Sequence, residues 1–403
     1  MCGIAGFLNP GNNHQKTEKE KYEILKKMNE VQRHRGPDDE GIFLENGCAL
    51  GHVRLSILDL YRGHQPMCKK KEGNTYAIIL NGEIYNMKTL KEQLIKEGEM
   101  FSTTSDTEVV LTGYIRYGIS YIEELNGIFS IALWDGKRKK LYLIRDRVGV
   151  KPLFYTKRGD TLIFASEIKG LFAYPGVKPV INREGLCEIF GLGPAKSYGK
   201  GVFKDIYEVL PGHFLEYDRE GLKDRAYWEL KAKEHTDSEK DTIEHTRWLV
   251  KDAVEMQMLS DIPISTFLSG GVDSSLVTAI CAKKLQKEGK NLNTFSFDFV
   301  NNHKYFKSNA FQPSEDRPWV DKMVDFAKTN HRYLECDNEN MIGNLYKAVD
   351  ARDLPCMADV ESSMLYFCSK VVKYNKVTLT GECADEIFGG YPWFHKEECF
   401  KAD

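Results

Sequence analysis

The sequence predicts two globular halves of different class, an α+β unit over residues 1–205 and an α/β unit over residues 206–403. Three observations carry this. The first half is dense in short, nearly all-apolar runs separated by turn residues, the pattern of strands buried on both faces, with two helical stretches between them. The second half alternates apolar strands with helical stretches, the pattern of βαβ units and a parallel sheet. Finally, 403 residues with 42% hydrophobic and 29% charged content suffice for two separate cores.

Taken in order, the strand signals of the first half are 48–53, 76–80, 128–134, 140–144 and 161–165. Helices are expected over 17–31 and over 106–117, the second opened by the cap-like pair Ser105-Asp106. Pro211-Gly212 and Asp218-Arg219-Glu220-Gly221 read as hairpin turns that end this half or connect it to the next. Residues 231–242 are strongly polar and run as a linker into a helix over 239–259. Residues 262–268 then form a strand, followed by a glycine loop and a helix through Val277, Ile280 and Leu285. Strands at 293–299, 331–335 and 376–380 alternate with helices near 316–329 and 359–375; the insert-like stretch 301–316 is polar and aromatic.

Composition excludes several function classes. A net charge of −3 spread over 56 basic and 59 acidic residues creates no field for nucleic acid or an anionic membrane. The runs Lys69-Lys70-Lys71 and Lys137-Arg138-Lys139-Lys140 read as solvated turns between strands. Ten cysteines without a C-x-x-C pair argue against a zinc site or a disulfide framework. With no signal-peptide pattern and no apolar run of about 18 residues, a cytoplasmic location is expected, one that keeps Cys2 as a thiol.

Cys2 follows the initiator Met1 and precedes Gly3-Ile4-Ala5-Gly6. Once methionine is removed, one residue carries both a thiol, with an ordinary pKa of about 8.5, and an α-amine of about 7.7–8.0, so the amine can take the thiol proton near neutral pH. No histidine is then needed. In the second half, Ser269-Gly270-Gly271-Val272-Asp273-Ser274-Ser275 sits between a strand and a helix, where backbone N–H groups and a helix N-terminus cradle an anion. It lacks the Gly-Lys-Ser/Thr of a Walker A loop and the G-x-G-x-x-G of a dinucleotide fold. A carboxylate beside phosphates calls for Mg²⁺ between them. Thr380-Gly381-Glu382-Cys383-Ala384-Asp385-Glu386 follows another strand, and parallel sheets bring such strand ends to one edge. Asp273 and Asp385 are then the candidate metal ligands, leaving Glu382 for proton transfer.

Seven motifs follow in one order: the Cys2-Gly3-Ile4 start, Arg33-His34-Arg35-Gly36-Pro37-Asp38-Asp39, Gly51 to Ile57, Asn81-Gly82-Glu83-Ile84-Tyr85-Asn86, Ser105-Asp106-Thr107-Glu108, and the two C-terminal loops. With them the chain resembles, over essentially its whole length, the glutamine-hydrolysing asparagine synthetases. That resemblance implies an N-terminal-nucleophile αββα sandwich acting as a class II glutaminase, followed by an ATP pyrophosphatase-type synthetase domain. It makes Cys2 the nucleophile and the Asn81 side chain and Gly82 N–H the oxyanion hole. Glutamine would lie against Arg54, Leu55, Ser56, Ile57 and Leu58, with Arg54 on its α-carboxylate and Glu83 and Asp106 on its α-ammonium side. ATP would be held by Leu268, Ser269, Gly270, Gly271, Asp273, Ser274, Phe299, Thr380 and Gly381, with Mg²⁺ on Asp273 and Asp385 and Glu382 as base or positioning acid. The implied substrates are glutamine, aspartate and ATP, and the implied products are glutamate, asparagine, AMP and pyrophosphate; a homodimer is compatible with it.

Two departures from the family pattern stand out. Close relatives often carry Ser-Gly-Glu-Gly-Ser-Asp-Glu, so Cys383 and Ala384 replace a glycine and a serine. The chain also ends at Asp403, where members usually continue for another hundred residues or more, so an incomplete synthetase domain is expected. Two alternatives follow: an amide-forming ligase for another carboxylate, or a glutaminase or glutamine-sensing module with an inactive synthetase half.

Overall fold

The structure, a computed structural model, describes residues 1–11, 16–308 and 314–401. Residues 309–313 of the insert-like stretch therefore lie outside the described residues. Two compact units are present, Met1–Glu234 with Val349–Met357, and His235–Ala348 with Ala358–Asp403. The boundary expected at 205/206 falls inside the first unit. Its cause is non-local pairing: strand His213–Asp218 hydrogen-bonds to Lys140–Arg145 on one side and to Gly221–Ala226 on the other, so this hairpin extends a sheet of the first unit.

The first unit stacks two six-stranded antiparallel sheets. One runs, edge to edge, Tyr207–Glu208, Phe154–Arg158, Thr161–Ala165, Gly3–Leu8, Cys48–Arg54 and Asp39–Glu45. The other runs Gly221–Ala226, His213–Asp218, Lys140–Arg145, Gly127–Asp135, Asn74–Ile84 and Met67–Lys71. Alternation along each strand sends one set of side chains between the sheets: Ile4, Leu8 and Leu50 from the first meet Ile79, Trp134 and Leu143 from the second. The opposite face of the first sheet packs Ala5, Phe7, Ala49 and Ile163 against Ile24, Leu25 and Met28 of helix Glu18–Glu30. Each such aliphatic side chain contributes about 1.5–3 kcal/mol on burial. Helix Glu18–Glu30 starts at a Thr17–Glu20 capping box, and helix Asp106–Tyr117, capped by Ser105, packs on strand Asn74–Ile84 of the second sheet. The layer order is helix, sheet, sheet, helix, the αββα sandwich.

Of the two turns expected at basic runs, one is absent and one is present. Lys69–Lys71 is part of the edge strand Met67–Lys71 and not a turn, and Lys69 is drawn inward by Glu108 at 2.9 Å and Thr112 at 2.7 Å. Lysines along a sheet edge blunt it against further pairing, so the polar run hid a strand. Lys137, Arg138 and Lys139 do lie in a turn, over residues 136–139, between Gly127–Asp135 and Lys140–Arg145, whose strand Lys140 begins.

The second unit has a four-stranded parallel sheet in the order Asn330–Cys336, Asn293–Phe299, Ile264–Phe267 and Val377–Leu379. Helices Glu239–Gln257, Val272–Lys287 and Arg317–Ala327 alternate with these strands, as expected from the sequence. Val254, Ile264, Cys281, Ala282, Leu292 and Ala327 form its core. No helix among the described residues is long and apolar enough to cross a membrane.

Candidate active site

In the first unit, strand register places the nucleophile. Gly3 pairs with Val53, so Cys2 stands beside Arg54 at the end of the neighbouring strand. Its Sγ donates to the Leu55 carbonyl at 3.7 Å. Burial pushes the thiol pKa up, while the Leu55 hydrogen bond, the N-terminal amine and Arg54 act the other way. Arg35 fixes the backbone here: Nε donates to the Cys2 carbonyl at 2.9 Å and Nη1 pairs with Glu167 at 2.8 Å. Burial opposes ionisation of Glu167, but His34 and Arg35 outweigh it and hold the carboxyl at about 2. The α-amine, on Met1 in this chain, is lowered by burial to about 5, so this environment keeps an amine neutral at pH 7.

Asn81 and Gly82 lie within strand Asn74–Ile84, opposite Ser130 and Phe129, and not in a turn. The Asn81 amide is fully buried, with Nδ2 3.4 Å from Ser130 Oγ and Oδ1 without a partner among the described residues. Rotated by half a turn, Oδ1 accepts the Ser130 hydroxyl proton and Nδ2 becomes a free donor, the arrangement an anionic ligand oxygen selects. Gly82 has φ +155, and a Cβ there would stand 2.0 Å from the Ile128 carbonyl oxygen, so only glycine keeps its N–H in place.

Arg54 is buried, and Nη2 donates to the carbonyls of Leu58 and Asp59, both at 2.8 Å. The loop of Leu55, Ser56, Ile57 and Leu58 thus closes around its guanidinium, with Ser56 N–H held by Asp38 at 2.9 Å. Glu83 and Asp106 form an acidic pair. Asp106, first residue of its helix, accepts from Ile84 N at 3.0 Å and Thr107 N at 2.8 Å. Glu83 Oε2 is buried without a partner among the described residues, and burial together with Asp106 raises its pKa well above the ordinary carboxyl value. Two carboxylates in this state fit a cation arriving with the ligand.

In the second unit, Leu268 is buried and donates to Phe295 O at 2.9 Å. Ser269 N and Oγ both contact Ser274 Oγ, at 3.2 and 3.0 Å, and Gly270 takes φ +82, which curls the loop over the start of helix Val272–Lys287. Gly271 is that helix's N-cap. Leu268 and Ser269 line a cleft of about 120 Å³ with Ser296, Asp298, Arg317 and Tyr333. Phe299 ends its strand half-exposed beside Phe367. The two carboxylate loops meet: a Cβ on Gly381 would stand 2.7 Å from Ser274 N. Burial and the neighbouring Asp385 raise the Asp273 pKa. Thr380 Oγ1 accepts from Glu382 N at 3.1 Å, leaving the Glu382 side chain exposed. Cys383 adopts the left-handed conformation with φ +71.

Residues 1–228 match the family of the glutamine amidotransferase domain, and residues 245–403 match the asparagine synthase family. The chain is 46% identical over 98% of its length to asparagine synthetase [glutamine-hydrolysing] 3 of Bacillus subtilis. It is also 35% identical, over 97% of its length, to a Methanocaldococcus jannaschii protein named for the same synthetase, and spans 76% of that protein. The chain belongs to the glutamine-hydrolysing asparagine synthetase family. It covers 64% of the Bacillus relative's length. A Penicillium rubens relative, 31% identical over the whole of this chain with 60% of its own length covered, is named as an amidase.

Set in this family, the first unit brings together Cys2, Arg54, Glu83 and Asp106 through mutual electrostatic influence, with Asn81 and Gly82 on the facing sheet. The sequence reading gave no role to Lys151 or Asp146. Their signal is the charged run Arg145-Asp146-Arg147 just after an apolar strand, followed by Lys151-Pro152. Sequence pattern alone treats such a run as a solvated turn. Here Asp146 is fully buried and accepts from Val150 N and Lys151 N, both at 2.9 Å.

Proposed function

We propose that the protein hydrolyses glutamine at Cys2 and uses the ammonia in an ATP-dependent synthesis of asparagine from aspartate. The observation that carries this reading is the grouping of a half-buried thiol with a buried arginine, an Asn-Gly oxyanion pair and an acidic pair whose ionisation is suppressed until a cation arrives. After Met1 is removed, the Cys2 amine takes the thiol proton and the thiolate attacks the glutamine side-chain carbonyl. Charge on the carbonyl oxygen is met by Asn81 Nδ2 and Gly82 N–H, an arrangement worth roughly 10²–10³ in rate per donor. The ammonium returns its proton to the departing ammonia, leaving a thioester that water cleaves to glutamate and free thiol. Arg54 receives the α-carboxylate, and Glu83 with Asp106 the α-ammonium.

In the second unit, the aspartate side-chain carboxylate attacks the α-phosphorus of ATP and pyrophosphate leaves; ammonia then displaces AMP. The nucleotide lies against Leu268, Ser269, Gly270, Gly271, Ser274, Phe299, Thr380 and Gly381, and Glu382 is the acid–base residue. Asp273, made costly to ionise by burial and by Asp385, fits a divalent cation shared by the two carboxylates. Mg²⁺ held there would neutralise phosphate charge during pyrophosphate departure.

Incubation with glutamine, ATP, Mg²⁺ and aspartate tests this, with glutamate, pyrophosphate and asparagine followed separately. All three are expected. Pyrophosphate without asparagine, restored by another carboxylic acid, would support a second reading, an amide-forming ligase with a different acceptor. That reading is favoured by Cys383-Ala384 in the acidic loop. Glutamate alone would leave only the glutaminase assignment standing.

A further inference from the structure

Lys151 is a buried cation that the glutaminase chemistry above leaves unused. It is 6% exposed, and among the described residues no carboxylate lies within ion-pairing distance of its Nζ. Its Nζ contact is Met1 Sδ at 2.8 Å, so its neighbour is the residue whose removal creates the nucleophile's amine. A buried lysine without an ion-pair partner costs folding free energy, and the chain invests heavily in holding this one still. Asp146 binds the N–H groups of Val148, Val150 and Lys151. Arg145, paired with Glu208 at 3.0 Å, donates to the carbonyls of Lys151, Gly149 and Val209. The loop is thereby locked from both sides before any substrate arrives.

The charges around this point come from every adjoining element. Arg35 approaches from the 3₁₀ turn Arg33–Arg35, Arg54 from strand Cys48–Arg54, Glu83 from strand Asn74–Ile84, and Asp146 from Lys151's own loop. Cys2 and the N-terminal amine are within the electrostatic reach of Lys151.

We propose that Lys151 is a positioning residue of the glutaminase centre, a fixed ammonium charge that favours the neutral form of the Cys2 amine and the thiolate form of its sulfur. The inference rests on the glutaminase reading. The step it prepares is the transfer of one proton from Cys2 Sγ to the Cys2 amine: the charge keeps the amine free to act as a base and stabilises the thiolate left behind, while Lys151 keeps its own proton throughout. A positive charge nearby disfavours a second positive charge on the amine and stabilises the thiolate. Burial lowers Lys151 itself to about 8, and Arg35 adds to that, so the ammonium form prevails through neutral pH and is lost above it.

The test is the pH profile of glutamine hydrolysis in wild type, K151M and K151R. The acidic limb of kcat/KM reports the amine of the free enzyme and should move up by about one pH unit in K151M, while K151R keeps the wild-type limb. An unshifted limb in folded K151M would overturn the proposal. Should K151M not fold, the pH midpoint of Cys2 labelling by iodoacetamide is compared between wild type and K151Q. A midpoint that rises by about one pH unit in K151Q supports the charge assignment, and an unchanged midpoint overturns it. Absence of any glutamine hydrolysis by wild type would instead remove the glutaminase reading itself.

Discussion

Replacing Gly82 by alanine strikes the proposed oxyanion hole with a perturbation whose size the structure sets. The backbone there has φ +155, and the added Cβ would lie 2.0 Å from Ile128 O and 2.6 Å from Phe129 Cα. Both contacts are roughly 1 Å or more too short. They are backbone atoms of the paired strand, so no side-chain rotation relieves them. Strain of the torsion costs about 1–3 kcal/mol and forced repacking about as much again, which places the loss of stability near 2–6 kcal/mol. In a unit of this size, about 3 kcal/mol corresponds to a fall in Tm of roughly 6–12 °C. The strand must move by about an ångström, which takes the Gly82 N–H off its target and lowers kcat for glutamine hydrolysis by roughly 10²–10³-fold, with KM little changed. Steady-state glutaminase kinetics and a thermal melt measure both effects. A G82A protein with wild-type Tm and wild-type kcat would refute the reasoning at the level of the backbone.

Four further outcomes are expected. Glu83→Gln should raise the glutamine KM by roughly 10–100-fold through loss of a charged partner for the α-ammonium. Because burial raises the Glu83 pKa in the folded state, its favourable contribution exists below the unfolded carboxyl value and is lost as pH rises through the folded one; E83Q should therefore melt higher than wild type at pH 7–8. Glu167 is depressed to about 2, so the stability it contributes is present above the ordinary carboxyl pKa and lost as pH falls from about 4.5 towards 2. Glu167→Gln should cost about 3–5 kcal/mol at neutral pH and flatten the acid end of the stability curve, read by denaturant titration. Cys383→Gly should stabilise the second unit by about 1 kcal/mol by relieving a left-handed non-glycine residue, seen as a higher urea midpoint. Asp273→Asn should abolish aspartate-dependent pyrophosphate release while glutamine hydrolysis continues.

Much of the fold was legible because burial writes itself into composition. The runs at 128–134 and 161–165 are apolar since both faces of those strands are covered, and Asn293–Phe299 and Asp106–Tyr117 begin and end where the pattern placed them. The edge strand Met67–Lys71 was not legible, because its exposed positions carry lysine for solubility at the sheet edge. Nor was the extension of the first unit to Glu234, since pairing of residues 213–218 with 140–145 is a long-range contact that local pattern does not encode. At the candidate site, Cys2, Arg54, Asn81, Gly82 and Asp106 were named from motif order alone, ahead of the fold that positions them. Lys151, Asp146 and Glu167 were missed for one shared reason: a charged residue in a loop looks solvated until tertiary packing buries it.

The central claim is that Cys2, freed of Met1, attacks glutamine, and a single comparison addresses it most directly. Intact mass and glutamate release are measured together on wild type and Cys2→Ala. The account predicts that wild type lacks Met1 and releases glutamate, while C2A, with the same fold, releases none. Glutamate release by C2A at the wild-type rate, or by wild type that retains Met1, would contradict it.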